Sequence, residues 1–248
     1  MWFVGTSGWH YKDWKARFYP DHLATSEWLA FYAERFPTVE VNNTFYRLPP
    51  EQTFDRWAAE TPPGFVFSVK ASRYITHIRR LADPRDALEV LLTRARHLGD
   101  RLGPILVQLP PNAMFDPERL RGFLAALPPG VRAAIEFRHA SWERSETYEL
   151  LDEARVALVW PDRPGARARL PSTGGWCYVR MHQGRRTAPG YTNAKLRRWA
   201  DRLAPMEAGG YVYFNNDHQG AAVRDAATLT RLLADRGADV ASRRPSTA

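Results

Sequence analysis

The sequence predicts a single-domain α/β protein, a parallel (β/α)8 barrel of the TIM type, and three observations carry that prediction. Eight short apolar runs punctuate the 248 residues. Most are nearly continuous rather than alternating, as strands covered on both faces are. The stretches between them can hold helices, and strands alternating with helices imply parallel pairing. Eight such units of about 30 residues each match the usual size of this barrel. A doubly wound open sheet, the competing arrangement, commonly carries a glycine-rich phosphate loop after its first strand. No G-x-G-x-x-G follows the first apolar run here.

The first strand is expected over 2–5, "WFVG". A helix follows in "SEWLAFYAERF", 26–36, which spaces Trp28, Phe31, Tyr32 and Arg35 along one face with Ser26 as its cap. The second strand, "VEVN" at 39–42, is unusual: a carboxylate, Glu40, lies inside it, and Asn42 and Asn43 end it. The third, "FVFSVK" at 65–70, ends on Lys70, one of only 4 lysines against 31 arginines. Residues 84–98 carry Leu88, Leu91, Leu92 and Ala95 on one helical face, with Pro84 in the first turn and Gly99 as a stop. "ILVQL" at 105–109 is the fourth strand, and "DPERLRGFLAAL" at 116–127 is a helix opening on Asp116 and Pro117. The remaining strands are expected at 133–137, 156–160, 177–181 and 211–214, with a last helix over 225–237. The barrel then occupies residues 1–241, and 242–248, "SRRPSTA", is a polar tail.

Composition bounds the functional classes. With 44% hydrophobic and 25% charged residues, the chain has ordinary globular make-up. It contains no run of about 18 apolar residues, so no membrane partner is expected. The N-terminus lacks a basic segment leading into a long apolar one. Cys177 is the single cysteine, which excludes an internal disulfide and suits a reducing, cytoplasmic location. Its setting in "WCYVRM" reads as that of a buried thiol. The net charge of +8 favours acidic partners, nucleic acid among them, although the basic residues are scattered rather than blocked. Cofactor and oligomeric state stay open.

The polar residues gather at the C-terminal ends of the strands. Side chains alternate faces along a strand, so Glu40 shares a face with Asn42, Ser68 with Lys70, Glu136 with Arg138, Arg180 with His182, and Asn215 with Asp217. An inward register puts them at the C-terminal mouth, where barrels of this type act. Glu40, Lys70, Glu136 and Asp217 are the catalytic candidates. Two carboxylates across a cleft suit acid–base work, and a desolvated lysine suits an electrostatic clamp or an amine nucleophile. The candidate substrate-binding residues are Ser7, Trp9, Asn42, Tyr46, His77, Gln108, Arg138, His139, Trp142, Arg180, His182 and Asn215. The arginines suit a phosphate or carboxylate, and the rings suit a flat ligand. The alternative is a closed ion-pair network with no chemistry. A metal also stays open: His77, His139 and His182 all follow strands, yet no H-E-x-x-H or other compact ligand motif occurs.

Seven segments in order carry a family resemblance: "GTSGWHYKDW" (5–14) with "FYP" (18–20), "VEVNNTFYRLP" (39–49), "FVFSVKASRYITH" (65–77), "LGPILVQLPP" (102–111), "IEFRHASW" (135–142), "YVRMH" (178–182) and "YFNNDHQGAA" (213–222). With these the chain resembles the YecE-like family, known as domain of unknown function seventy-two, through about residue 235. The resemblance implies a TIM barrel with its site at these motifs and names no substrate. Two positions depart from the family pattern: a Gln183 stands between His182 and Gly184, and Asp225 occupies a place where the family tends to have Asn. Three functions fit the whole reading. One is an enzyme acting on a small phosphorylated or carboxylated ring compound by acid–base or electrostatic catalysis. The second is a nucleic-acid-binding or -processing protein, metal-dependent or not. The third is a ligand-binding barrel without catalysis.

Overall fold

The eight apolar runs form eight parallel strands: β1 Trp2–Ser7, β2 Thr38–Val41, β3 Val66–Lys70, β4 Leu102–Gln108, β5 Ala133–Glu136, β6 Ala157–Asp162, β7 Cys177–Met181 and β8 Gly210–Phe214. They close in sequential order, with β8 pairing β1 through Trp2 opposite Gly210 and Thr6 opposite Phe214. The computed structural model describes residues 1–163, 171–182 and 189–242. Most of the expected 242–248 tail thus lies outside the described residues. The chain before it is tied to the barrel floor, where Trp2 bridges Val240 and the Ala241 N–H donates to the Trp2 carbonyl.

The helices are α1 Trp28–Ala33, a single turn α2 Asn43–Tyr46, α3 Glu51–Ala59, α4 Arg85–Ala95, α5 Pro117–Ala126, α6 Ser145–Glu153, α7 Asn193–Leu203 and α8 Ala221–Ala234. Asp116 caps α5 by accepting from the Arg119 N–H, as its place before Pro117 predicts. The Ser26 side chain caps no helix; a 3-10 turn over Thr25–Glu27 leads into α1 instead. The last helix begins at Ala221, ahead of the expected residue 225. Gly220, at φ 66°, turns the chain, and the small Ala221 and Ala222 bury against the barrel. Between β6 and β7 the described residues contain no helix, against the expectation of one in every crossover. Among the described residues there, Pro161, Pro171, Gly174 and Gly175 all disfavour a helix.

Alternation along the strands separates two cores. Outward residues such as Val39, Val41, Phe67, Val69, Ile105, Val107, Val179 and Phe214 pack beneath the helices. Inward residues form their own cluster of Leu106, Ala134, Ala157, Val159, Trp176, Tyr178, Tyr211 and Tyr213. The interior phenols are satisfied across the barrel, Tyr213 with the Thr38 hydroxyl and Tyr178 with Ser68, both at 2.7 Å. Gly5 lets β1 approach β2 closely, since a Cβ there would lie 2.1 Å from the Thr38 carbonyl oxygen. Among the described residues no helix is long and apolar enough to cross a membrane.

Candidate functional site

The inward parity that gives Tyr178 and Tyr213 to the core gives the next positions toward the C-terminal ends to the mouth. Ser7, Glu40, Gln108, Glu136 and Arg180 are all buried there. Arg180, 1% exposed, is the hub. Its Nε donates to Glu40 Oε2 at 2.9 Å and its Nη2 to Glu40 Oε1 at 2.8 Å, a bidentate pair. Its Nη1 donates to Gln108 Oε1 at 2.8 Å and to Glu136 Oε2 at 2.6 Å. Glu40 also accepts from the Tyr178 hydroxyl at 2.7 Å and from the Ser7 hydroxyl. Asn42 Nδ2 donates to Ser7 Oγ at 2.6 Å. Arg138 Nε closes the chain of charges on Glu136 Oε1 at 3.0 Å.

This network fixes the protonation of both carboxylates. Burial by itself pushes Glu136 up, but Arg180, followed by His182 and Arg138, outweighs it and holds the group at about 2. Glu40 is likewise raised by burial and brought below the ordinary range by Arg180 and the Ser7 hydroxyl. Carboxylates held below their ordinary range and engaged by Arg180 make poor proton shuttles near neutral pH. The two glutamates serve as counter-ions to Arg180.

The groups poised for titration lie around this hub. Lys70, at the end of β3, is half-buried, and its Nζ sits 4.7 Å from the centroid of the Phe45 ring. Among the described residues its ammonium has no carboxylate within ion-pair distance and no hydrogen-bond partner, while its carbonyl accepts from the Thr44 hydroxyl at 2.7 Å. Burial lowers the ammonium to about 8, with Arg180 adding to the fall and Glu40 and Glu136 resisting it. His182 is lowered to about 4, by burial first and then by Arg180. Asn215 Nδ2 lies 3.0 Å from its Nδ1, and with the amide so oriented the neutral ring carries its proton on Nε2. That Nε2 is buried and has no hydrogen-bond partner among the described residues. Asp217 is raised by burial and by the neighbouring Asp13. The Tyr11 hydroxyl donates to the Ser7 carbonyl, and its ring lies 4.8 Å from that of Trp14, whose Nε1 donates to the Asp217 carbonyl, so Asp217 stands on the Ser7 side of the mouth.

The family-model match decides the classification: the model described as protein of unknown function DUF72 matches residues 3–248. The chain belongs to the DUF72 family. This is the family that its seven sequence motifs resemble. A DUF72 family protein from Thermotoga maritima superposes with a TM-score of 0.82 at 31% identity, over 94% of this chain and 99% of that one. One from Enterococcus faecalis gives 0.78 at 19% identity, over 100% of both. UPF0759 protein YunF of Bacillus subtilis (strain 168) is 32% identical over 161 residues, 60% of this chain. The match spans about half of that relative, 55% of its length.

Within this DUF72 barrel, three of the expected site residues are placed elsewhere. Trp9 packs edge-on against Trp57, 5.4 Å away, and against the outward Phe67, so its indole belongs to the layer between barrel and helices. Trp142 is 3% exposed, stacks on Phe137 and donates to the Ala113 carbonyl. His139 Nδ1 accepts from the Ser141 N–H and caps a short turn. Asp162, at the end of β6, turns away to Lys195 and Trp199. His77 and Tyr46 lie on the rim: His77 stands edge-on to Phe45 at 4.9 Å, and Tyr46 is 82% exposed. Among the described residues no three His, Cys, Asp or Glu side chains are grouped to hold a metal ion. Two site residues were missed in the sequence. Tyr178 stands two positions before Arg180, so alternation alone points it inward. Phe45 sits in "NNTFY", where only the one-turn helix α2 brings it under Lys70.

Proposed function

We propose that the barrel mouth is the active site of an enzyme for a small anionic, ring-bearing substrate, phosphorylated or carboxylated, working by acid–base or electrostatic catalysis. The observation that carries this reading is the Lys70 ammonium, which has no carboxylate within ion-pair distance among the described residues. Glu40 and Glu136 are spent on Arg180, so they do not neutralise it. Around the Arg180 hub, Lys70, Arg138 and Arg180 are three cations against Glu40 and Glu136, one net positive charge; Asp217, whose charged neighbours are Asp13 and His218, is not part of this group. An anion is the natural complement. Lys70, lowered to about 8, is the group able to exchange a proton near neutral pH, and His182, lowered to about 4, stands in the same mouth as a neutral imidazole. Arg138 and the exposed Tyr46 ring flank the opening. Calorimetric titration with inorganic phosphate and with pyridoxine 5′-phosphate tests the reading. Binding that is lost in Lys70→Met is expected; no heat from either compound at low salt overturns it. Capture without turnover of any phosphorylated or carboxylated ring compound would make it a binding barrel.

A second reading rests on a separate observation. Tyr46 and Tyr74 are 82% and 52% exposed on the loops after β2 and β3. Arg47, Arg73 and Arg80 on the same loops are exposed and make no ion pair among the described residues. Exposed rings interleaved with free cations suit single-stranded nucleic acid. Fluorescence anisotropy with a labelled oligonucleotide checks this: affinity should fall linearly in log salt, and no binding at low ionic strength removes the reading.

A further inference from the structure

We propose that Lys70 is a carbonyl-directed amine, forming an imine with an aldehyde or ketone group of the anionic substrate. The inference rests on the anion-binding reading of the mouth and adds the functional group that the anion must carry.

Three features of the site lead there. The first is isolation. A lysine beside a free carboxylate is held as an ammonium salt, and the nearest acids, Glu40 and Glu136, are instead saturated by Arg180 and Arg138. The other lysines differ: Lys15 lies 3.6 Å from Asp21, Lys195 lies 2.9 Å from Asp162, and Lys12 is exposed to solvent. The second is position. Lys70 ends an inward-facing strand, half-buried, with its amine over Phe45. An aromatic face attracts a cationic iminium as it does an ammonium, so the adduct keeps this contact. The third is the surrounding charge. Arg138 and Arg180 disfavour a third cation at Lys70, and they would orient the anionic end of a bound molecule beside the amine.

The chemistry balances without an oxidant or a metal. The nitrogen lone pair of neutral Lys70 forms the C–N bond while the carbonyl π pair moves to oxygen, giving a carbinolamine. The nitrogen then expels that oxygen as water. Both amine hydrogens end on the water, and the product is an imine that protonates to the iminium. The iminium withdraws electrons from the adjacent carbon, which is the step that would lower a barrier to proton removal or bond cleavage there.

Pyridoxal 5′-phosphate supplies an anionic ring aldehyde as a probe, and pyridoxine 5′-phosphate is the same molecule with an alcohol in place of the aldehyde. The protein is treated with the aldehyde, reduced with borohydride, digested and mapped by mass spectrometry. Label on Lys70 should exceed that on Lys12, Lys15 and Lys195 by more than roughly tenfold at pH 7, as the larger neutral fraction of a lowered amine dictates. Lys70→Arg should still bind pyridoxine 5′-phosphate, followed by tryptophan fluorescence, and should lose the mapped adduct. If the alcohol binds but the label spreads evenly over four lysines, the imine is wrong and the anion site stands. If neither compound binds, the anion-binding reading falls and the inference with it.

Discussion

Replacing Arg180 with Met isolates what the buried charge network does. Met keeps most of the stem volume, so the change removes charge and hydrogen bonds rather than opening a large void. Four hydrogen bonds disappear, to Glu40 twice, to Gln108 and to Glu136. Two carboxylates with 0% exposure are left facing each other without their shared cation. Removing one partner of a buried pair costs about 3–5 kcal/mol. The hold on Glu136 gives the same order: from 4.5 down to about 2, at about 1.4 kcal/mol for each pH unit, is about 3 kcal/mol. For a chain of this size the melting temperature should drop by roughly 6–20 °C at pH 7. The pH dependence carries the sign. A depressed carboxylate stabilises the fold above its unfolded value and loses that contribution as pH falls from 4.5 toward about 2. In Arg180→Met the carboxylates protonate at higher pH, which relieves their repulsion. The gap between variant and parent should therefore narrow as pH falls from 7 to 4. Thermal unfolding followed by circular dichroism across that range is the assay. A variant melting within about 2 °C of the parent at pH 7, or a gap that widens in acid, refutes the reasoning.

Glu136→Gln removes the carboxylate that both Arg180 and Arg138 use, and should cost about 1–3 kcal/mol in urea denaturation; unchanged stability would mean that the network contributes little to folding. Lys70→Met should stabilise the protein by about 1–3 kcal/mol at pH 7, since it removes a desolvated ammonium. In the parent, the unfolded chain holds more protons on Lys70 between about 8 and 10.5, so the stability contributed there rises with pH. Urea midpoints from pH 7 to 10 should show that rise in the parent and its absence in Lys70→Met. Gly5→Ala forces a methyl to within 2.1 Å of the Thr38 carbonyl oxygen and should destabilise by about 1–3 kcal/mol or more; a melting curve matching the parent would show that β1 and β2 can separate without penalty.

Strand parity made most of the mouth readable before any coordinates. Glu40, Glu136 and Arg180 each sit two residues from another polar side chain, and a period of two leaves only one choice of face once the core face is known. The aromatic residues of the loops carry no such constraint. Trp9 follows its strand as closely as Arg138 does, and Trp142 comes on the loop after Arg138, yet a large ring gains more by filling the space between loop and helix, and both indoles do so. His139 shows a similar limit. Its bond to the Ser141 N–H is a local turn geometry that residue type does not reveal. Tyr178 went unnoticed because it reads as a core residue, and it is one, with its hydroxyl reaching up to Glu40.

Arg180 also explains how one end of the barrel can hold so many charges. Glu40, Glu136 and Gln108 come from β2, β5 and β4, and a guanidinium from β7 is long enough to meet all three across the ring. Four of its five donors are used in doing so, and with 1% of the residue exposed it offers a ligand little without breaking a buried pair, which is too costly for an exchangeable contact. Arg180 is thus a floor and a positioning residue. On the proposed reading, recognition falls to Lys70, with no carboxylate within ion-pair distance among the described residues, and to Arg138, whose Nε alone is engaged by Glu136. The network that could be taken as a reason to deny the mouth any chemistry is what keeps Lys70 unpaired. The distribution of charge therefore favours a site over an inert plug, because a purely structural arrangement would have paired the third cation as well.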